Sequence, residues 1–333
     1  MILFLTLSLK AESGIYDRFG IINEHGAHGA VPEENIDLFT GNLTLKNLDI
    51  HFPGPNGFDL NIWRVYNSKV LKDRFPGGGW GIQQEPYSWV GFGWSMHMGR
   101  LHSSNTETPI VEYPDGRWET AYHDINDYSV FVTRDFAKLD KSDWKLYFKD
   151  GTIWTFGGLA NIDCGNMIIE QVRVVTRITN SYGHHIDIAY DASGSPRMSS
   201  ITDSMGRIVT FMTDSSTHKL EYIKVRNATG GYVYYSYTVG TFSSGYYKLN
   251  EYDPPELNPV TYEYGDGLSS NWELNAVNTS YGGRMEYEYA DHTFYYFTYA
   301  LSTKVVQTKR IKFSSSSDFR IWGYSYPSYY NVD

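Results

Sequence analysis

The sequence predicts an all-β protein in which a continuous antiparallel strip of β-hairpins curls into an open partial shell. One hairpin sequence motif occurs twice, and the turn glycines of the two copies, Gly183 and Gly206, are 23 residues apart. Aromatic residues make up 17% of the chain, and aromatic side chains suit a pleated, half-buried surface. Long runs of strong helix formers are missing from the sequence. Because so short a unit cannot bury an apolar face alone, successive units must stack side by side.

Residues 1–30 form a predicted N-terminal segment that precedes the sheet. Residues 1–9 are apolar apart from Thr6 and Ser8. They resemble the end of a secretory signal more than a membrane span, which needs about 20 residues; a short first strand is the alternative. We therefore expect export of the protein, and no other segment of the sequence is apolar enough to cross a membrane.

Residues 31–110 are predicted to open the sheet. Apolar and polar residues alternate over residues 43–52 and again over residues 58–62. The proline and glycine residues at 53–57 between these two stretches favour a turn. The pattern therefore predicts two strands joined tightly.

An insertion is predicted within this region, at residues 69–90. The stretch lacks a sustained period and contains three adjacent glycines at 77–79. A phosphate-binding glycine loop would need a strand before it and a helix after it, and the sequence predicts neither. We therefore predict a loop on the surface.

Residues 111–313 carry the repeated hairpins. Asp115-Gly116 and Asp150-Gly151 lie between apolar or aromatic residues, which predicts two-residue turns of the primed type. Further turn signals precede tyrosine-rich alternating stretches, at residues 227–231, 254–255 and 278–284. Their steady spacing predicts one continuous twisted sheet.

The last segment, residues 314–333, holds four consecutive serines followed by a tyrosine-rich end. This composition predicts an edge strand or a poorly ordered end. Because an exposed strand edge tends to pair with another strand, we expect self-association through an open sheet edge, or a continuation of the sheet by a further chain segment.

Charge and cysteine content exclude several classes of function. The chain has 28 Lys and Arg against 38 Asp and Glu, a net charge of −10, and no basic block. A nucleic-acid partner is not expected, because affinity for nucleic acid depends on neutralising phosphates. Cys164 is the single cysteine, so an intramolecular disulfide and a multi-thiolate metal site are excluded. We interpret Cys164 as a small buried apolar residue.

Three phrases of the opening region resemble the RHS, or YD-repeat, proteins of bacteria, whose relatives include teneurins and the B and C components of insecticidal toxin complexes. They are Thr40-Gly41-Asn42-Leu43, Arg64-Val65-Tyr66-Asn67-Ser68 and Gly91-Phe92-Gly93-Trp94-Ser95. The namesake repeat is similar to residues 183–207, and the resemblance spans about residues 31–290.

The resemblance implies a long β-strip wound into a hollow shell that often encloses a toxic C-terminal segment. It therefore implies a protective or scaffolding role rather than catalysis. Two departures qualify this expectation. Shells of the family are far longer, and their C-terminal plug, with the aspartates that release the cargo, has no counterpart in this sequence. The chain resembles the opening third of a shell.

No catalytic, cofactor-binding or metal-binding residue is predicted. A metal site needs three or four rigidly held ligands, and two histidine groups were weighed against this requirement: Glu24, His25 and His28 lie in a glycine-rich segment, and His184 and His185 are adjacent in a repeat turn. Neighbouring strand residues point to opposite faces, so we interpret both groups as solvated loop residues.

Acidic pairs and exposed tryptophans are the remaining candidates. Four aspartates lie close together in sequence and could support hydrolysis, but we interpret them as turn-capping residues: Asp187, Asp191, Asp203 and Asp214. Three tryptophans could form a sugar-binding platform, although most tryptophans are expected in the core: Trp80, Trp89 and Trp118.

The expected function is that of a non-enzymatic RHS-type scaffold, the N-terminal shell fragment of a bacterial toxin-delivery or cell-surface protein that is secreted or held at the surface. The expected partner is a downstream shell or toxin segment, or a second copy. The alternative is a carbohydrate-binding or adhesive β-module with glycans as partners, and a glycan-processing enzyme is the third hypothesis. No cofactor is expected.

Overall fold

The computed structural model describes residues 34–69, 71–73, 80–82, 88–124, 127–163, 169–191, 196–227, 229–267, 271–296 and 299–327. Strands dominate these residues. The helical structure among them is one short 3-10 turn at Pro55–Gly57. The predicted all-β class is confirmed.

The first six strands form two small sheets. Four of them make the N-terminal sheet, in the order β1, β2, β3, β6, and β4 pairs with β5. The long pair β2–β3 flanks the turn predicted at 53–57, so the two tightly joined strands are confirmed. The six strands are β1 (Glu34–Ile36), β2 (Leu43–Phe52), β3 (Leu60–Asn67), β4 (Leu71–Asp73), β5 (Trp80–Ile82) and β6 (Trp94–Ser95).

The next eight strands form a closed ring. Each pairs antiparallel with its successor, and the last returns to pair with the first. The strands of the ring are β7 (Arg100–His102), β8 (Ile110–Glu112), β9 (Trp118–Asp124), β10 (Asp127–Thr133), β11 (Lys138–Asp140), β12 (Lys145–Tyr147), β13 (Ile153–Asp163) and β14 (Ile169–Thr179).

The remaining strands continue the same sheet as a strip. Every consecutive pair from β14 onward is antiparallel, which confirms the predicted continuous strip of hairpins. The strands of the strip are β15 (His185–Tyr190), β16 (Met198–Asp203), β17 (Ile208–Thr213), β18 (Leu220–Arg226), β19 (Tyr232–Thr241), β20 (Tyr247–Asp253), β21 (Val260–Tyr264), β22 (Leu274–Asn278), β23 (Arg284–Tyr296), β24 (Tyr299–Lys312) and β25 (Arg320–Gly323).

Strand β14 is the branch point between ring and strip. One of its edges pairs with β13 along most of its length. Its other edge is shared, because Val172–Val174 pair with β7 and Arg177–Thr179 pair with β15. The ring is therefore closed by three residue pairs, and the sequence did not predict this closure.

The turns predicted at Asp115-Gly116 and Asp150-Gly151 differ from expectation. In each, the glycine N–H donates to the carbonyl three residues earlier, at 2.9 and 3.0 Å. Gly116 and Gly151 have φ of 81° and 85°, whereas Asp115 and Asp150 keep negative φ. A type I′ turn needs positive φ at both central residues and a type II′ turn needs it at the first, so the negative φ of the two aspartates shows that the prediction of primed turns is wrong. These are three-residue connections in which only the glycine occupies the left-handed region.

The repeated phrase uses the same turn. Gly183 and Gly206 have φ of 85° and 79°, and their N–H groups donate to the carbonyls of Asn180 and Asp203. The side chains of Asn180 and Asp203 also accept backbone hydrogen bonds within the turn. The prediction that strands reverse at both glycines is confirmed.

The N-terminal sheet packs against the inner face of the strip. Together with the segment that precedes β6, it contacts strands from β18 to β24. One apolar cluster joins all three parts, with Leu60 from the N-terminal sheet, Leu139 from the ring and Leu249 from the strip.

The predicted segments map onto this fold as follows. Residues 1–30 lie outside the described residues. Within 69–90 the structure describes the β4–β5 hairpin. The division drawn between residues 110 and 111 falls inside β8, and the segment 314–333 contributes the edge strand β25.

Candidate functional site

The junction between the N-terminal sheet and the strip is built around a buried arginine, Arg64. It follows Leu60 and Ile62 at alternate positions of β3, so its side chain points to the same inner face. Asp49 reaches this face from β2 through a register irregularity between Leu48 and Ile50, since an extra residue in a strand re-aims its side chain. The Arg64 side chain is fully buried, at 0% exposure.

Arg64 forms a two-point ion pair with Asp49. Its Nε and Nη2 atoms lie 2.8 and 3.1 Å from the two carboxylate oxygens. Two tyrosines of the strip complete the site: Arg64 Nη1 donates to the Tyr262 hydroxyl at 2.8 Å, and the Tyr237 hydroxyl donates to Asp49 Oδ2 at 2.8 Å. The guanidinium carbon also lies 4.7 Å from the ring centroid of Tyr252.

The charges of this cluster are fixed. Burial lowers the pKa of Arg64, but the Asp49 carboxylate outweighs burial and the net effect raises the pKa well above its usual value. Burial raises the pKa of Tyr237 well above its ordinary value, and Asp49 adds to the shift. The arginine therefore stays charged and the tyrosine stays neutral.

A second contact joins the sheets through Trp94 and Tyr66. The Trp94 indole Nε1–H donates to the Tyr264 hydroxyl at 2.8 Å, and that hydroxyl donates to the Leu249 carbonyl at 2.8 Å. The Leu274 N–H donates to the Tyr66 hydroxyl at 2.8 Å. Side chains from the N-terminal phrases thus satisfy polar groups of the strip.

The backbones also approach closely near Gly91. A Cβ atom there would lie 2.6 Å from the backbone nitrogen of Leu249, and the φ of 118° is one that other residues rarely adopt. The next N–H, of Phe92, donates to the Tyr247 carbonyl at 2.8 Å. Glycine is therefore required where the chain touches the strip.

Two buried lysines connect the N-terminal region to β24. Lys309 of β24 lies 2.8 Å from Glu34 of β1, and both side chains are nearly inaccessible. Lys69 donates to the Lys304 carbonyl at 2.5 Å and to the Thr303 hydroxyl at 3.3 Å. Burial lowers the pKa of Lys69 to about 7.

This arrangement holds the N-terminal sheet and the strip together. Its charged groups are paired and shielded from water, with side-chain exposures of 0% for Arg64 and 1% for Asp49. A reacting group must touch a substrate, and these side chains touch other protein groups instead.

A second polar cluster lies where the ring closes. His102 of β7 is 2.8 Å from Glu112 of β8 and 2.8 Å from Glu170 of β14. His97 lies 3.2 Å from the other oxygen of Glu112, and Arg100 lies 3.9 Å from the same carboxylate as His102. The cluster therefore links three strands at the three-pair closure.

The histidines of this cluster differ in charge. Burial lowers the pKa of His102, but Glu170 and Glu112 outweigh burial and raise the pKa to about 9. Burial lowers the pKa of His97. His102 is therefore protonated at neutral pH and bridges two carboxylates.

Of the polar residues that the sequence singled out, His185 and Asp187 lie 3.7 Å apart, and the other described candidates do not join them in a common cluster. Glu24, His25, His28 and Cys164 lie outside the described residues. Each described candidate contacts residues close to it in its own hairpin. The His184 backbone N–H donates to Asn180, and Asp187 pairs with both His185 and Arg177. Asp191 pairs with Arg197, Asp203 pairs with Arg207, and Asp214 accepts hydrogen bonds from Ser216 and Thr217.

The tryptophan candidates have different environments. Trp89 is in the core, at 1% exposure, so its interpretation as an exposed platform is wrong. Trp118 is half-buried and stacks on His102 with centroids 4.4 Å apart. The side chain of Trp80 lies outside the described residues.

The described residues offer neither a cluster of metal ligands nor a membrane-spanning helix. No group of three or more His, Cys, Asp or Glu side chains in them is placed to hold a metal ion. No helix among the same residues combines the length and the apolar character that a bilayer crossing needs.

Sequence reasoning missed the role of Asp49 and Arg64. Arg64 gave a signal, since it follows Leu60 and Ile62 at the apolar positions of the alternation, whereas Asp49 stands at a polar position of its stretch and gave none. The partners were not visible, because Tyr262 lies 198 positions from Arg64. The His102 cluster gave no signal, because Glu112 and Glu170 stand in unrelated strands.

Fold and junction together define a class: an all-β protein whose strip of hairpins packs against its own N-terminal sheet. The family model described as a domain of unknown function (DUF6531) matches residues 33–120, which include all four strands of the N-terminal sheet. A search of curated proteins gave no match.

Two solved structures are similar to the chain. One is the N-terminal domain of the effector protein SpvB from Salmonella typhimurium strain LT2, with 11% identity over 84% of this chain and 100% of that chain and a TM-score of 0.26. The other is TcdB2-TccC3 without its hypervariable C-terminal region, with 14% identity over 81% of this chain and a TM-score of 0.30. This chain spans 15% of that second structure. At these scores neither structure bears on the function of this protein.

Proposed function

We propose that this protein is a non-enzymatic RHS-type β-scaffold, the N-terminal part of a shell in a bacterial toxin-delivery or cell-surface protein that is secreted or held at the surface. The observation that carries the proposal is the junction at Arg64. The phrases that resemble the RHS family supply Arg64, Tyr66, Gly91 and Trp94, and all four residues bind the strip.

The junction supports a scaffold role because it fixes the N-terminal sheet to the strip through buried contacts. The N-terminal sheet packs against the inner face of the strip, and we infer that a cargo does not lie on this part of it. A cargo would need further strands beyond β25. The chain would therefore form the N-terminal end of a longer shell, and further strands would extend from β25.

The free end of the strip is where a continuation would attach. In the pairings of the described strands, β25 joins β24 alone. Unpaired N–H and C=O groups on an edge are a template for another strand. The expected partner is therefore a following shell segment or, without one, a second copy of the chain.

The test is association measured by light scattering over a range of protein concentrations. We expect the average mass to rise with concentration. Ile321→Lys on β25 should reduce this rise, because Ile321 is 62% exposed on the edge strand and lysine blunts an edge. The matched control is Ile208→Lys on β17, a 52% exposed residue between paired strands, which should leave association unchanged.

A protein that stays monomeric at every concentration contradicts the attachment through β25. Equal loss of association in both variants would also contradict it, because a general change in surface apolarity would then explain the result. Detection of the protein in the culture medium or on the cell surface tests the proposed location separately.

A further inference from the structure

Trp63 differs from Trp144 and Trp322, whose rings face the cations of Arg173 and Lys309, and from the tryptophans that contact other rings. It lies on β3, on the face opposite Arg64, and is half-buried. Trp94, Trp154 and Trp272 all pack against other aromatic rings. Among the described residues, Trp63 has neither a ring contact nor a hydrogen bond through its indole. A large apolar ring with an N–H group usually has a partner when it is buried.

Trp63 lines a groove at the meeting point of the three parts of the fold. The groove has a volume of about 280 Å³ and lies between the N-terminal sheet, the turn that joins β8 to β9, and the first strands after the ring. Its size is near the lower end for small-molecule sites. Its apolar lining includes Phe58, Met98, Ile178 and Ile186.

Polar groups stand on the same groove. Asn61 is two positions before Trp63, so both side chains share one face of the strand, about 7 Å apart. His51 Nδ1–H donates to Asn61 Oδ1 at 2.7 Å, and this bond leaves the Asn61 amide N–H groups free to donate. Asp59 and Asp115 add carboxylate acceptors.

We propose that this groove binds a pyranose sugar. A pyranose has an apolar C–H face and a rim of hydroxyl groups that both donate and accept. The Trp63 ring would receive the C–H face, Asn61 would donate to a hydroxyl oxygen, and Asp59 and Asp115 would accept from hydroxyl groups. The site uses none of the residues of the Arg64 junction, so it is independent of the scaffold role.

The charges of the groove favour a neutral ligand over a cationic one. Asp115 Oδ2 already accepts a hydrogen bond from Lys46 at 3.2 Å, and Asp59 Oδ1 accepts the Gly54 N–H at 2.8 Å. Arg117 also lines the groove. A lysine or arginine side chain of a partner would therefore meet carboxylates that are partly neutralised.

The experiment is NMR titration of the indole N–H signals with cellotriose, lactose and chitotriose, and with trilysine as the cationic probe. The Trp63 signal is assigned by its loss in Trp63→Phe. We expect at least one sugar to shift that signal. Affinity should fall about fivefold in Trp63→Ala, because stacking on an aromatic ring is worth roughly 1 kcal/mol, and should also fall in Asn61→Ala.

The control is Trp322→Ala on β25, which should leave affinity unchanged, since Trp322 lies outside the groove. Thermal unfolding of each variant shows whether it is folded, and Asn61→Ala gives an answer should Trp63→Ala unfold. The proposal is overturned when no sugar shifts the Trp63 signal at 20 mM in an otherwise folded protein, when affinity survives both groove variants, or when trilysine binds and the sugars do not.

Discussion

Arg64 shows how one residue can decide whether two sheets stay together. An ionised side chain sits in a row of apolar residues, and it is tolerated because Asp49 and Tyr262 accept its hydrogen bonds while Tyr237 donates to Asp49. Removing one member of a buried ion pair leaves the other charge without compensation, and this costs more than the pair contributes.

The first prediction concerns Arg64→Ala. We expect the free energy of unfolding to fall by about 3–5 kcal/mol, because Asp49 would remain buried without a cation. Urea unfolding monitored by circular dichroism measures the change. The matched control is Arg310→Ala, whose pair with Glu288 is exposed and should contribute no more than about 1 kcal/mol. Equal losses in the two variants would refute the central role of Arg64.

At the scale of the elements, one turn geometry recurs along the chain. A glycine in the left-handed region follows two turn residues, and the chain then enters the next strand. Several hairpins depart from this rule by placing a residue other than glycine at positive φ, and the β10–β11 turn is one of them. Phe136 takes the glycine position of the β10–β11 turn, with φ of 64°, while its side chain is 78% exposed.

The second prediction is a pair of opposite substitutions in these turns. Phe136→Gly should stabilise the protein by about 1 kcal/mol, because it removes left-handed strain and gives up little buried surface. Gly206→Ala should destabilise the protein by about 1 kcal/mol, because alanine is strained at a φ of 79°. A Cβ there would meet no atom within 4 Å, so backbone strain is the whole of the expected effect. Thermal unfolding of both variants checks the signs, and the same sign in both would contradict the account.

The third prediction concerns the ring closure, which depends on three backbone pairs and on the His102 cluster. The folded pKa of His102 is raised to about 9 from 6.5. Its contribution to stability is therefore complete below pH 6.5 and is lost as the pH rises through 9. The shift corresponds to a contribution on the order of 3 kcal/mol.

Unfolding free energies of the wild type and His102→Gln, measured from pH 6.5 to 9.5, isolate this contribution. We expect the difference between the two proteins to shrink as the pH rises. The difference curve is needed because Lys69 acts oppositely: burial lowers its pKa to about 7, so its burial costs less as the pH rises. A difference that is constant with pH would rule out a protonated His102 at the closure.

At the scale of the whole molecule, the N-terminal sheet determines what the strip can enclose. The resemblance to RHS proteins implies a hollow shell. In the part of the chain that the structure describes, the inner face from β18 to β24 is covered by β1, β2, β3 and β6 instead. The first eight strands of the sheet also close on themselves, so the open curl predicted from the repeats begins only at β15.

The candidate site was predictable only in part, for a reason that particular residues make clear. The phrases containing Arg64 and Trp94 stood out as family-like, but their function required partners in the strip. The sequence drew attention to Trp89 and Trp118 as exposed aromatics, whereas Trp89 is in the core and Trp118 stacks on His102. The tryptophan without a ring partner among the described residues is Trp63. Its sequence position gave no signal, because it alternates with apolar residues as an ordinary strand residue does.

What the sequence by itself determined is local: the alternation of β2 and β3, and the reversals at Gly183 and Gly206. Alternation and positive φ are properties of a few neighbouring residues, so they can be read without knowing the fold. Only the tertiary structure decided that β7 returns to Val172–Val174 and that Arg64 meets Tyr262. Those contacts join residues far apart in the chain, and they depend on how much every intervening strand twists and curls.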